Sequence, residues 1–276
     1  MILYNEKFVT DDTIIQIEDR GYQFGDGVYE VIRIYNGKCF ELDNHLERMV
    51  SSARKIKLSL PYSIFEIKKN LMELVNKEEI LDGKIYIQIT RGKSVRKHHL
   101  PKEPSPILIA YVEELPRPFK KIQNGVNAIL SEDIRWTRCD IKSLNLLGNV
   151  LLKQEAKDNN CEEAILHRNK IITEGSSTNV FIVKNSKIQT HPENNFILNG
   201  ITRQKIINIA HNNNFIISEE AFTIEELLNA DEVFITSTTL ELIPIIKVDN
   251  KVIGNGFPGT TTQKFQNIFN EEISKI

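Results

Sequence analysis

The stretch "VYEVIRIYNGKCFEL", from Val28 to Leu42, constrains the fold of this chain more than any other. Apolar residues are frequent on both sides of Asn36-Gly37. That dipeptide is the strongest short hairpin signal, because both residues accept the positive φ that a two-residue turn demands. Two antiparallel strands are therefore expected to meet there. The period then changes. In "LDNHLERMVSSARKIKL", Leu46, Met49, Val50 and Ala53 recur at helical spacing. A second amphipathic stretch runs from Ile64 to Val75, and "KIYIQITRG" and "SPILIAYVEEL" return to strand.

"LPRPFKK", from Leu115, has two prolines, three basic residues and no period, so it reads as a connector. The expected organisation is a smaller N-terminal α/β domain at 1–116, a linker at 117–121 and a larger domain at 122–276. In the second part "GVNAILSEDI" reads as a strand, and Leu144 to Ala156 as a helix. Turns at Arg168-Asn169-Lys170 and Lys184-Asn185-Ser186 separate further strands. "ITRQKIINIAHNN" is helical, and "TIEELLNADEVFITST" is a helix and then a strand. Strands and helices mix in both halves, so the fold class is mixed α/β (α+β), with a cleft expected between two domains.

Composition narrows the functional classes. The net charge is −2 with 26% charged residues, and no Lys/Arg-rich block stands out, so no nucleic-acid partner is expected. The longest apolar runs, such as "PILIAYV" from Pro106, are strand-length, so no membrane role is expected. The first twelve residues lack the basic end and long apolar core of a secretory signal. Cys39, Cys139 and Cys161 are far apart, which suits a reducing cytosol, so the expected location is cytoplasmic. The six histidines show no ligand spacing, and no metal is expected.

Lys142, in "RCDIKSLNLLGN", precedes a run that contains Leu144, Leu146, Leu147, Val150, Leu151 and Leu152. A lysine partly buried there loses proton affinity, and a neutral amine condenses with an aldehyde. Alternatively its stem packs and its head reaches water. Three other segments bear on the choice. In "LNGITRQKIINIA", Gly200 is read as ending a short strand and Thr202 as opening a helix, whose free N–H groups favour a phosphate; Thr202 can equally be only a cap. In "VFITSTTLE", Ser237, Thr238 and Thr239 follow an apolar strand and offer hydroxyls, or simply form a turn. In "TEGSSTNVF", Glu174 lies between strand-like runs, where a buried carboxylate needs a partner such as a protonated ring nitrogen. Phosphate, ring nitrogen and aldehyde are the three handles of pyridoxal 5'-phosphate.

At these residues the chain resembles the fold-type IV pyridoxal-phosphate aminotransferases (class IV aminotransferases), and within them the D-amino-acid aminotransferases. The resemblance runs from "EDRGYQFGDGVYEVIRIYNG" through "EDIRWTRCDIKSLNLLGNVLLKQEA" and "EAILHRNKIITEGSSTNVF" to "NGITR" and "VFITSTT". It implies a two-domain enzyme with the cofactor in the cleft between domains, the larger C-terminal domain binding it. Lys142 would be the Schiff-base lysine, and Glu174 would pair with the pyridinium nitrogen. Arg48 in "NHLERM" would bind the phosphate, with Ile201, Thr202 and Thr238. Leu198 would pack on the ring. Tyr29, with Arg96 and His98 of "SVRKHH", would hold the substrate carboxylate. Arg-x-His is what points to D-amino acids, and its loop would complete the neighbouring subunit's site in a homodimer. The implied reaction is ping-pong transfer between a D-amino acid (D-alanine, D-glutamate) and a 2-oxo acid (pyruvate, 2-oxoglutarate). A branched-chain L-amino-acid aminotransferase and an aminodeoxychorismate lyase share the lysine and glutamate. Thr178 is a conservative departure from the pattern. The roles of Arg135 and Arg138 stay open.

Overall fold

In a computed structural model of the protein, residues 1–10 and 15–276 are described. Asp11 and Asp12, the last two of the twelve opening residues, lie outside them. The chain divides into two units: Met1–Pro116 with Ile141–Leu146 and Ile276, and Arg117–Asp140 with Leu147–Lys275.

The first unit contains β1 (Ile2–Tyr4), β2 (Lys7–Val9), α1 (Arg20–Phe24), β3 (Gly27–Tyr35), β4 (Lys38–Cys39), α2 (Leu42–Lys55), α3 (Ile64–Glu78), β5 (Gly83–Thr90) and β6 (Ile107–Glu114). Among the described residues its sheet has the order β2-β1-β6-β5-β3-β4, and every neighbouring pair is antiparallel. Asn36 and Gly37 both take positive φ, so the hairpin forms where its turn residues put it. Side chains alternate along a strand, so β3 has two different faces. Val28, Ile32 and Ile34 pack with Ile85, Ile87 and Ile89 beneath Leu46, Met49, Ile67, Leu71 and Leu74 of the helices. Each such side chain contributes about 1.5–3 kcal/mol when fully buried. The opposite face carries Tyr29, Val31, Arg33 and Tyr35. Ser63 and Glu66 form a reciprocal cap that starts α3.

The second unit contains α4 (Phe119–Asn124), β7 (Val126–Glu132), α5 (Leu147–Asp158), β8 (Glu163–Arg168), β9 (Ile171–Gly175), β10 (Asn179–Lys184), β11 (Lys187–Thr190), α6 (Ile201–Asn212), β12 (Ile216–Glu219), α7 (Ile224–Leu228), β13 (Glu232–Ser237), β14 (Glu241–Val248), β15 (Lys251–Val252) and α8 (Thr260–Ser274). Its sheet runs β12-β11-β10-β13-β14-β7-β8-β9, with β15 on β14. β7 and β8 are parallel, and α5 makes the crossover that parallel strands require. One core gathers Ile165, Ile182, Val233, Ile235, Ile243 and Ile245; a smaller one seats Leu152 and Ala156 of α5 on Ile129, Ala164 and Leu166. Among the described residues, no helix is long and apolar enough to cross a membrane.

Two local expectations are corrected. The helix expected from Leu144 begins at Leu147. The reason is that residues 142–144 are used as a strand-like ladder: Lys142 O accepts from Tyr29 N, Leu144 N donates to Gly27 O, and Val28 and Ser143 form a bridge. The strand expected to end at Gly200 is not formed. There Phe196 N donates to the Asn194 side chain and Leu198 N to Glu174, so these backbone groups are spent on side chains rather than a ladder.

Candidate active site

In the first unit the ladder beside β3 fixes the main chain of Lys142, and Lys142 N also donates to Ser52 Oγ at 3.1 Å. The side chain is half-buried, with Nζ 4.1 Å from the centroid of the Tyr29 ring. It makes no ion pair among the described residues. Lys142 and Tyr29, expected at one site, are therefore together.

On the helix side of β3, Glu30 is fully buried. Arg48 forks onto it, Nε to Oε1 and Nη2 to Oε2, both at 2.8 Å, and His45 Nδ1 lies 2.7 Å from Oε2. Burial pushes the Glu30 carboxyl up, but Arg48 and His45 outweigh it and bring it down to about 2. Burial, Arg48 and Lys142 hold His45 below its ordinary value, against the pull of Glu30. His45, Arg48 and Ser52 share one face of α2, because residues three and four apart are neighbours on a helix. Thus Arg48, expected to bind phosphate, is oriented by a carboxylate.

Arg96 and His98 meet at Phe24. The Arg96 Cζ is 4.9 Å and the His98 ring 5.8 Å from that ring's centroid. Arg20 lies over the same ring at 4.7 Å and donates from Nη1 to Lys97 O at 2.7 Å, which anchors the loop. Both loop residues are exposed, and their contacts run to Phe24, not to Tyr29. α1 ends at Gly25 (φ 64°), which supplies the left-handed turn into β3.

In the second unit Glu174 stands on β9 and is 5% exposed. Its Oε1 accepts from Arg135 Nη1 at 2.6 Å; its Oε2 accepts from Asn179 Nδ2 at 2.9 Å and Leu198 N at 3.0 Å. Burial raises its pKa to about 7, although Arg135 and the Leu198 N–H pull it down. Arg135 is held by Asp133, which also accepts from Arg168 and Thr173. The turn after Glu174 is gathered around the buried Glu163, whose carboxylate accepts from Ser176 N, Ser177 Oγ and Thr178 Oγ1.

The same unit offers groups suited to an anion. Gly200 is the N-cap of α6 and has no capping side chain, so the N–H groups of Ile201 and Thr202 lack that partner. Both residues are buried. A Cβ at Gly200 would meet Asn179 Oδ1 at 2.2 Å, which is why glycine stands there. Thr236, in register with Asn179 across the sheet, has a buried Oγ1 with no hydrogen-bond partner among the described residues. Thr238 lies just beyond, half-buried in the turn after β13.

A family model described as amino-transferase class IV matches residues 27–248, most of the chain, from the start of β3 to the end of β14. The chain belongs to the class IV aminotransferase family. It is 49% identical over 273 residues to a protein of Bacillus licheniformis named D-alanine aminotransferase, covering 99% of this chain and 96% of that one. Among solved structures, the branched-chain amino acid aminotransferase of Escherichia coli superposes with a TM-score of 0.93 at 26% identity, covering 98% of this chain and 93% of that one. A second branched-chain amino acid aminotransferase, from T.th. and complexed with N-(5'-phosphopyridoxyl)-L-glutamate, gives 0.91 at 25% identity, covering 99% and 94%.

Several residues around the expected ones escape sequence reasoning. Glu30, His45, Ser52, Glu163 and Asn179 hold the expected residues in place through contacts distant in sequence. Glu30 carried the one local signal, an acid among the apolar residues of β3. Arg135, whose role the sequence left open, pairs with Glu174, whereas Arg138 pairs with Asp140 at 2.9 Å and is exposed.

Proposed function

We propose that this aminotransferase uses pyridoxal 5'-phosphate to exchange an amino group between a D-amino acid and a 2-oxo acid. The observation that carries the reading is the near full-length 49% identity to a protein named D-alanine aminotransferase, against 25–28% for branched-chain enzymes of the same fold. The residues present fit the cofactor: a buried carboxyl for a ring nitrogen, an uncapped helix N-terminus with a bare threonine hydroxyl nearby for a phosphate, and a lysine without an ion-pair partner for an aldehyde.

When bound, the cofactor supplies an aldehyde that takes up the amino group and a ring that takes up electrons. Lys142 would hold that aldehyde, and its Nζ is placed to serve as the base that takes and returns the α-proton. Glu174 would keep a proton on the ring nitrogen, and Leu198 would cover the ring. Arg48 would bind the phosphate, as would Ile201, Thr202 and Thr238. Glu30 holds the Arg48 guanidinium in place through Nε and Nη2, and Arg135 and Asn179 fix Glu174. Tyr29, with Arg96 and His98 from a second copy of the chain, pins the α-carboxylate, because an arginine fork matches a planar carboxylate. A pinned carboxylate and a base reaching from one side leave one enantiomer with its α-hydrogen toward the base. The enzyme is accordingly a homodimer working in the cytosol, on D-alanine and D-glutamate with pyruvate and 2-oxoglutarate.

The branched-chain fold likeness makes the L-amino-acid reading the rival. Turnover of D-alanine and of L-valine, each with 2-oxoglutarate, separates them. D-alanine should be favoured by orders of magnitude; preference for L-valine would replace this reading. Pyruvate release from aminodeoxychorismate would identify a lyase instead.

A further inference from the structure

Arg33 is 1% exposed, and its Nε, Nη1 and Nη2 are all buried without a hydrogen-bond partner among the described residues. Other buried arginines differ. Arg91 is satisfied by Asp26 and the carbonyls of Ile56 and Lys57; Arg135 by Asp133 and Glu174; and Arg203 by Asn199, Glu219 and the carbonyl of His191, with only Nε bare. Lys84, directly opposite Arg33 in register, is itself paired with Glu113 at 2.9 Å. Among the described residues Arg33 stacks on the Tyr35 ring, 5.0 Å away. A desolvated cation–π contact offsets only part of the cost of burying an ion. The balance is unfavourable unless an anion joins it.

The position says which anion. Arg33 lies on the same face of β3 as Tyr29, four residues and roughly 13 Å along the strand. Tyr29 carries Lys142 Nζ over its ring. Between the two stand Val31 and, opposite it in register, Tyr86, whose ring stacks on Tyr29 at 5.8 Å. An apolar floor between a site for an α-carboxylate and a bare guanidinium suits a short dicarboxylate with methylenes between its ends. We propose that Arg33 receives the second carboxylate of dicarboxylic substrates, D-glutamate and 2-oxoglutarate. The inference rests on the D-amino-acid reading and adds the residue that sets substrate class.

Arg33→Met removes an uncompensated buried charge, so it should not lower stability. The test follows the first half-reaction alone in the holoenzyme, with D-alanine and with D-glutamate. A charge-assisted hydrogen bond of this kind is worth about 10- to 100-fold in discrimination. In Arg33→Met the kcat/KM for D-glutamate should fall by about that factor relative to D-alanine, and Arg33→Lys should recover part of it. Equal falls for both substrates would overturn the proposal. Calorimetry on the wild-type holoenzyme needs no variant: glutarate should bind at least about tenfold more tightly than butyrate. Equal affinities would overturn the proposal, whereas failure of wild-type turnover with D-alanine would instead strike the parent reading.

Discussion

Lys142 and Glu174 carry the sharpest consequences at the scale of single residues. Lys142→Ala should keep the fold and lose turnover by a factor of at least about 10³, since in the proposed mechanism one group serves as attachment point and base; circular dichroism and a steady-state assay check both halves. Glu174 governs a pH effect in the cofactor-free protein. Burial holds its carboxyl at about 7 against an ordinary 4.5, so the folded chain binds this proton more tightly than the unfolded chain. The stability from that proton is whole below about pH 4.5 and is lost as pH rises through 7, about 3 kcal/mol in all. Glu30 acts in the opposite sense. Held at about 2, it contributes stability above pH 4.5 that is lost as pH falls towards 2. Urea midpoints measured from pH 4.5 to 7.5 should fall less steeply in Glu174→Gln than in wild type; parallel curves would contradict the assignment.

At the scale of elements, the turn between β9 and β10 depends on Glu163, which is fully buried and accepts from three successive residues. Glu163→Ala should destabilise the protein by about 3 kcal/mol, because it strands several buried donors at once; chemical denaturation reads the loss, and a change within about 0.5 kcal/mol would show the turn standing without it. Ser63→Ala, by contrast, removes an exposed cap of α3 and should cost about 1 kcal/mol with turnover unchanged. Much at this scale was legible from the sequence. Asn36-Gly37, Asn169-Lys170 and Asn185-Ser186 all take positive φ where strands were expected to turn, and the α2 and α3 stripes face the core as their spacing requires. The misreadings have one physical cause. At Leu144 and before Gly200 the backbone bonds to partners distant in sequence, Gly27 and Glu174, and no local pattern records that. The network of Glu30, His45 and Arg48 was illegible for the same reason, since a strand acid and a helix fork become partners only once packed.

For the whole molecule, the placement of Ile141–Leu146 with the first unit matters most. Lys142 thereby belongs to the unit that holds Tyr29 and Arg48, although it comes later in the chain than the connector. The proposed dimer has its own test. Lys142→Ala and Arg96→Ala chains should each be nearly inactive alone. Denatured and refolded together, they should regain roughly one quarter of wild-type activity, because random pairing makes half the dimers mixed and each mixed dimer has one intact site. No recovery would place Arg96 in its own chain's site. The account as a whole is tested most directly by borohydride reduction of the holoenzyme followed by peptide mass mapping. It predicts a phosphopyridoxyl group fixed to Lys142 and to no other residue. A label on a different lysine, or none on protein saturated with pyridoxal 5'-phosphate, would contradict it.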